Sequence, residues 1–395
     1  MKPSFFTCIT WAAALLGCAA RAVTAAPGSR GLAIPSCHDL MLPLSISANN
    51  TNIVGVDQTF NNQSYATGTI LQLTGTAKAW GSQHISGFFI NNKTYNIHAK
   101  YCEPANGANV DSPLIVAVHG PGVNLKYWDF DLSPEYSLIK QAVAKGYPIL
   151  AYDRLGAGLS DSTSNGFNEP QIATEIEILA NILTQAKGGS IAKNIRFSKI
   201  VGVGHSYGSF QLQGITKIHP ELVDAVVLTA YSADSSNAAE FLLGSNYVIA
   251  RDTSPAKFGH RPSYWLTTPT DAADLTTFFW PPNSDPAALS IWRNQTDVIA
   301  LGAYTTISAV TGMAPNFHGL VHVITGDKDL SACGYNCSGP DGRVAQVAKF
   351  YPSDQVNFTY SIVNDTGHGI VPHYSGPGVI QDILTYIEKN FIVPL

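Results

Sequence analysis

The sequence predicts an α/β protein in which a mostly parallel sheet carries helices on both faces and a helical cap interrupts the second half of the chain. Two observations carry this prediction. Short, nearly continuous apolar runs recur at residues 113–118, 148–152, 199–203, 225–228 and 321–324, with a further strand expected over 356–363. Runs that are apolar on both faces are the pattern of buried parallel strands. Between them lie segments such as 137–144 and 175–183, whose apolar residues recur at helical spacing, so strand and helix alternate. The gap from 231 to 318 is too long for an ordinary crossover and is rich in aromatics, and we read it as the cap. Before the first parallel strand, residues 85–102 read as an antiparallel hairpin around Asn91-Asn92. The expected segments are therefore a leader over 1–26, an N-terminal extension over 27–84, a first core part over 85–230, the cap over 231–318 and a second core part over 319–395.

The composition excludes several classes. The 395 residues are 45% hydrophobic and 13% charged, too apolar for a disordered chain and too Gly- and Pro-rich for a coiled coil. With 23 Lys plus Arg against 28 Asp plus Glu, the net charge is −5, and no basic stretch exists to neutralise a run of phosphates. Nucleic acid is not an expected partner.

Lys2, the apolar run from Phe5 to Ala20 and the small residues ending at Ala26 have the form of a secretory signal peptide. Thr7, Thr10 and Arg21 interrupt the run, so a stable membrane anchor is not expected. The predicted location is extracellular or within a secretory compartment. Asn-x-Ser/Thr sequons at Asn49, Asn62, Asn92, Asn294, Asn336, Asn357 and Asn364 agree with that route, predict N-linked glycans and point to a eukaryotic source. Beyond the leader remain Cys37, Cys102, Cys333 and Cys337, an even number. The expected pairs are Cys37 with Cys102 and Cys333 with Cys337. A zinc site is disfavoured because only one short Cys spacing exists and no His pair flanks it. No metal or cofactor is expected.

In an open α/β sheet the chemistry sits at the carboxyl ends of the strands. After the 199–203 run comes Gly204-His205-Ser206-Tyr207-Gly208, a G-x-S-x-G at a strand-to-helix junction. Small residues there let a serine occupy a sharp turn with its hydroxyl exposed, so Ser206 is the candidate nucleophile. A serine hydroxyl needs a base. His368, in Gly367-His368-Gly369 after the last strand, is chosen over His119, His205, His318 and His322. The imidazole needs an orienting carboxylate. Asp329 is preferred to Asp327 because it lies further past Gly326 in the loop after the 321–324 strand.

The order Ser206, Asp329, His368, together with His119-Gly120 and the Asp153 to Ser160 segment, resembles the α/β-hydrolase superfamily over residues 85–395, and in particular secreted fungal serine hydrolases. That resemblance implies the α/β-hydrolase fold and two backbone donors for an oxyanion. One would be Tyr207 N–H. The residue after His-Gly commonly supplies the second, but here it is Pro121, which has no N–H; either Gly122 or Val123 takes the role, with Gly122 permitting the close backbone approach, or the hole is incomplete and the reaction is not ordinary acyl transfer. His119 and Pro121, with Trp265, Phe279 and Trp280 from the aromatic cap, are the expected substrate contacts. The reading is a hydrolase cleaving ester or lactone bonds of apolar small molecules through an acyl-enzyme. A lyase, cyclase or transacylase using the same pocket is the alternative, and a binding protein on the same scaffold is the third possibility.

Overall fold

The computed structural model describes residues 36–391 except 61, 193, 235, 340–341 and 353–355, and gives only the backbone for 76–78. The predicted leader lies outside the described residues. Strands β1 (Ser36–Ile53), β2 (Ile85–Glu103), β3 (Leu114–Val118), β4 (Ile149–Tyr152), β5 (Ile200–His205) and β6 (Ala225–Thr229) are followed by the cap ribbon β7 (Val248–Ile249) and β8 (Leu266–Thr267), then β9 (Leu320–Gly326) and β10 (Asn357–Val363). The main sheet has the order β1-β2-β4-β3-β5-β6-β9-β10. From β4 to β10 it is parallel, and β1 and β2 join antiparallel at one edge.

Helices α1 (Gln63–His84), α2 (Leu138–Ala144), α3 (Ile172–Gly188) and α4 (Tyr207–Ile218) precede the cap. The cap supplies α5 (Ala238–Ser245), α6 (Ala250–Thr253), α7 (Pro255–Phe258), α8 (Asp271–Thr277), α9 (Pro286–Gln295) and α10 (Leu301–Thr306); α11 (Leu330–Cys333) and α12 (Gly376–Asn390) close the fold. The strand alternation in β3 shows why both faces need cover. Leu114, Val116 and Val118 pack with α3 and α4, while Ile115 and Ala117 pack with α2 and α12. Every one of these side chains is buried, as the continuous apolar runs require. Among the described residues no helix is long and apolar enough to cross a membrane.

The N-terminal region corrects one expectation. Residues 85–102 form no hairpin: β2 is one unbroken strand whose partner is β1, with Ser47 opposite Asn92 and Ala48 opposite Asn91. Asn91 does not turn because its side chain is buried and donates to Tyr95 Oη at 3.1 Å and to Thr174 Oγ1 at 3.0 Å. A long partner strand overrides the local turn signal. Residues of the N-terminal extension pack into the core. Leu42, Leu44, Ile46 and Ala48 of β1 enter the same apolar cluster as α3, and the described residues form one compact unit. Cys37 pairs with Cys102 across β1 and β2, and Cys333 pairs with Cys337, as expected.

Helix α1 starts where the Asn62 side chain accepts from Tyr65 N–H. Its Ala66, Ile70 and Trp80 share a third apolar cluster with cap residues Leu242, Tyr247, Ile249 and Phe258. The cap is therefore built partly from the chain's N-terminal region.

Candidate active site

Strand β5 delivers Ser206 to the start of α4 through a turn that few sequences can make. Ser206 has φ +53° and ψ −115°, a conformation costly for any residue with a side chain and typical of over-determined functional positions. The flanking glycines are needed for contact reasons. A Cβ on Gly204 would lie 2.6 Å from Ser209 N, and one on Gly208 would collide with the Val118 carbonyl oxygen. The motif is thus a packing requirement as well as a chemical signature.

Ser206, His368 and Asp329 come together. His368 Nε2 lies 2.8 Å from Ser206 Oγ, and its Nδ1 lies 2.8 Å from both Asp329 carboxylate oxygens. The imidazole donates from Nδ1 to the carboxylate, which leaves Nε2 as the acceptor for the serine proton. Asp329 is fully buried and also accepts from Ala332 N–H at 2.8 Å, capping α11. Asp327 turns elsewhere, to Lys328 Nζ and Thr366 N–H. The close approach that seats the His368 loop explains Gly326, where a Cβ would collide with the Thr366 carbonyl oxygen.

The disulfide from Cys333 to Cys337 closes the loop that follows Asp329. Cys333 N–H donates to Asp329 O and Cys337 N–H to Asp327 O, so this loop braces the backbone of the carboxylate. Replacing both cysteines by serine is expected to lower kcat. The stability loss should stay below the roughly 3 kcal/mol associated with a 15-residue ring, because the ring is so short. Steady-state kinetics and thermal melts of the double variant check this, and an unchanged kcat would limit the bridge to stability.

Three other histidines surround the site as neutral groups. Burial lowers His119 to about 3 and His373 to about 4, and pushes His205 far below its ordinary range. His373 Nε2 accepts from Trp280 N–H at 2.9 Å and Gly367 N–H at 3.1 Å. It thereby positions the loop carrying His368, and a proton on Nε2 would break both bonds. Because the folded pKa lies below the unfolded value near 6.5, this contribution is complete above about pH 6.5 and is lost as the pH falls towards 4. His98, raised mainly by its hydrogen bond to Asp153, works in the opposite direction. Denaturant midpoints measured from pH 7.5 to 4.5 should fall, and His373→Gln should flatten that slope.

Ser206 opens into a cavity of about 570 Å³. Its walls include Tyr207 and Phe210 of α4, Phe241 and Leu242 of α5, Tyr304 of α10, and Leu73 and Trp80 of α1. Pro121 lines it, as expected, and so does Tyr207, whose N–H opens α4 and has no intrahelical acceptor. Four expected substrate contacts do not reach it. His119 is buried behind the site, accepting from Arg154 N–H at 2.9 Å and donating to Gly120 O at 2.7 Å. Trp265 packs against Gly156 inside the cap cluster. Phe279 meets Trp292 edge-on and lies tilted beside His373, and Trp280 lies beside Tyr335 and Lys328. Trp265 serves the cap's own core, Phe279 joins the cluster that packs against α2 and α12, and Trp280 stays half-buried outside both. Gly122 lies just past the cavity wall with φ +73°, its carbonyl held by Asp297 N–H at 2.8 Å.

Sequence reasoning missed Leu73 and Trp80, since nothing local in the N-terminal region marks a pocket wall. Phe241 and Tyr304 were visible as cap aromatics, but the sequence did not distinguish them from the rings that form the cap core.

The Alpha/beta hydrolase family model matches residues 115–381. Among solved structures, a carboxylesterase from the ammonia-oxidizing thaumarchaeon Nitrososphaera gargenis superposes with a TM-score of 0.50 at 13% identity, covering 75% of this chain and 97% of its own. Rv0554 from Mycobacterium tuberculosis gives 0.50 at 18%, covering 76% and 96%. The enol-lactonase of Burkholderia xenovorans LB400 gives 0.49 at 15%, covering 75% and 97%. No curated protein matches the sequence. The strand order, the turn at Ser206 and the extent of the family match agree, and the chain belongs to the alpha/beta hydrolase family.

Proposed function

We infer that the protein is a serine hydrolase cleaving ester or lactone bonds of apolar small molecules. The observation that carries this reading is the 2.8 Å succession from Ser206 Oγ through His368 to Asp329, opening into a largely apolar cavity. In this scheme His368 Nε2 takes the Ser206 proton as Oγ attacks the substrate carbonyl. Tyr207 N–H and the backbone N–H of Gly122 receive the oxyanion. The imidazolium, stabilised by Asp329, returns the proton to the leaving alcohol, and an acyl-enzyme remains. Water, deprotonated by the same imidazole, then releases the acid and regenerates the Ser206 hydroxyl.

Pro121 favours one second reading. It occupies the wall where a backbone donor is ordinarily expected and has none to offer, and a weaker oxyanion site suits lyase or cyclase chemistry that forms no tetrahedral oxyanion; acyl transfer to a nucleophile other than water is the remaining form of this alternative. Incubating the enzyme with aryl esters and a lactone panel, with and without added alcohols, separates the two. Free acid as the product throughout supports hydrolysis; preferential formation of a new ester or ring supports the alternative.

Secretion belongs to the same proposal. Its supports are the form of residues 1–26, the two formed disulfides, and the exposure of the asparagine in all seven sequons. The resemblance to secreted fungal serine hydrolases, carried by His119-Gly120, the Asp153 to Ser160 segment and the Ser206, Asp329 and His368 motifs over residues 85–395, supports it as well. Expression in a eukaryotic secretory host, followed by N-terminal sequencing and enzymatic deglycosylation, tests it: a mature protein starting near Pro27 that loses mass on deglycosylation is the expected result.

A further inference from the structure

We propose that helix α1 is the specificity wall of the site, reading the apolar body of a neutral ester or lactone; this rests on the serine-hydrolase reading above. Leu73, Thr74, Trp80 and Gly81 of α1, with Ile85 at the start of β2, line the cavity that contains Ser206. All five lie before residue 115, where the family match begins. The wall is therefore supplied by a part of the chain outside the matched region, and it can differ while the catalytic residues stay the same.

The helix is fixed well enough to act as a wall. At its N-terminal end the Gln63 side chain donates to Tyr247 O at 3.1 Å and accepts from Ile249 N–H at 2.8 Å, tying α1 to the cap ribbon. Further along, Ala66 and Ile70 are buried among cap residues, and the Trp80 ring stacks on Phe167 at 6.1 Å. Leu242 of α5, also in that cluster, lines the cavity too.

Charge sets the second half of the proposal. Among the described residues lining the cavity, Asp234 is the only charged side chain, and it is engaged by Ser236 and by Arg343 at 3.4 Å. A carboxylate or phosphate on the substrate would lose its hydration in this cavity and gain no cation. A neutral ester loses far less. Hydrolysis then turns a neutral substrate into an anionic acid in a cavity that cannot pair with it, which favours release of the product. A volume near 570 Å³ suits a drug-sized body.

Binding tests this without catalysis. Ser206→Ala protein is titrated with methyl decanoate and, separately, with decanoate, following tryptophan fluorescence. The ester is expected to change the emission, the decanoate anion to bind about tenfold or more weakly, and Trp80→Phe to reduce the signal. In the active enzyme, Leu73→Trp fills the wall at a half-buried position. It should lower the ratio of kcat/KM for p-nitrophenyl decanoate over p-nitrophenyl acetate by about tenfold, the effect of excluding some two methylenes from apolar contact. Leu71→Trp, on the exposed side of α1 and away from the cavity, should keep the wild-type ratio. Equal binding of ester and anion, or an unchanged ratio in Leu73→Trp, overturns the proposal. Binding of methyl decanoate by a protein that hydrolyses no ester would instead retain the wall and reject the hydrolase reading.

Discussion

Ser206→Ala is expected to lower turnover by about 10⁶-fold, because members of a nucleophile-base-acid unit fail together and the nucleophile's loss costs as much as the loss of the whole unit. The fold should survive. The Oγ has its hydrogen bond to His368 Nε2, and the strained backbone at φ +53° serves Ala no worse than Ser. Gly204 and Gly208, which make the turn possible, are untouched. Kinetics on an aryl ester, with circular dichroism and a thermal melt on the same sample, check the prediction. Substantial turnover in a folded variant would place the nucleophile elsewhere.

Asp329→Asn is the second large effect, at about 10⁴-fold in kcat. The asparagine can still accept from Ala332 N–H through its Oδ1, so the cap on α11 persists. Its amide, however, presents N–H to His368 Nδ1 and favours the tautomer with the proton on Nε2, which can no longer accept from Ser206. The imidazolium also loses the carboxylate that stabilises it. Asp327→Asn should cost little in rate, since Asp327 is held by Lys328 and Thr366 rather than by His368. The reverse ranking in steady-state kinetics would exchange the two roles. His368→Ala should match Ser206→Ala.

The parts of the fold that could be read from sequence are those governed by strong local physics. Strands buried on both faces must be apolar throughout, so β3, β4, β5, β6 and β9 were visible as runs. The turn at Ser206 needs small neighbours, so Gly204 and Gly208 announced it, and the order of Ser206, Asp329 and His368 supplied the rest. What escaped notice depends on partners distant in sequence. The Asn91-Asn92 pair looks like a turn until β1 is placed beside it. Helix α1 is rich in Thr, Gly and Ser, with few apolar positions, and its place over the cavity follows only from the cap cluster it completes. Trp265, Phe279 and Trp280 show the same limit from the other side. An aromatic-rich cap is plain in the composition, but which rings face the substrate is decided by packing against Gly156, Trp292 and Tyr335.

The proposal stands on Ser206 being an activated nucleophile, and covalent labelling tests that directly. The purified protein is treated with a fluorophosphonate and its intact mass measured, followed by peptide mapping and by the same treatment of Ser206→Ala and His368→Ala. If Ser206 is that nucleophile, one adduct per chain is expected, on the peptide carrying Gly204 to Gly208, absent in Ser206→Ala and formed far more slowly in His368→Ala. An unlabelled wild-type protein, or an adduct that persists in Ser206→Ala, would contradict it.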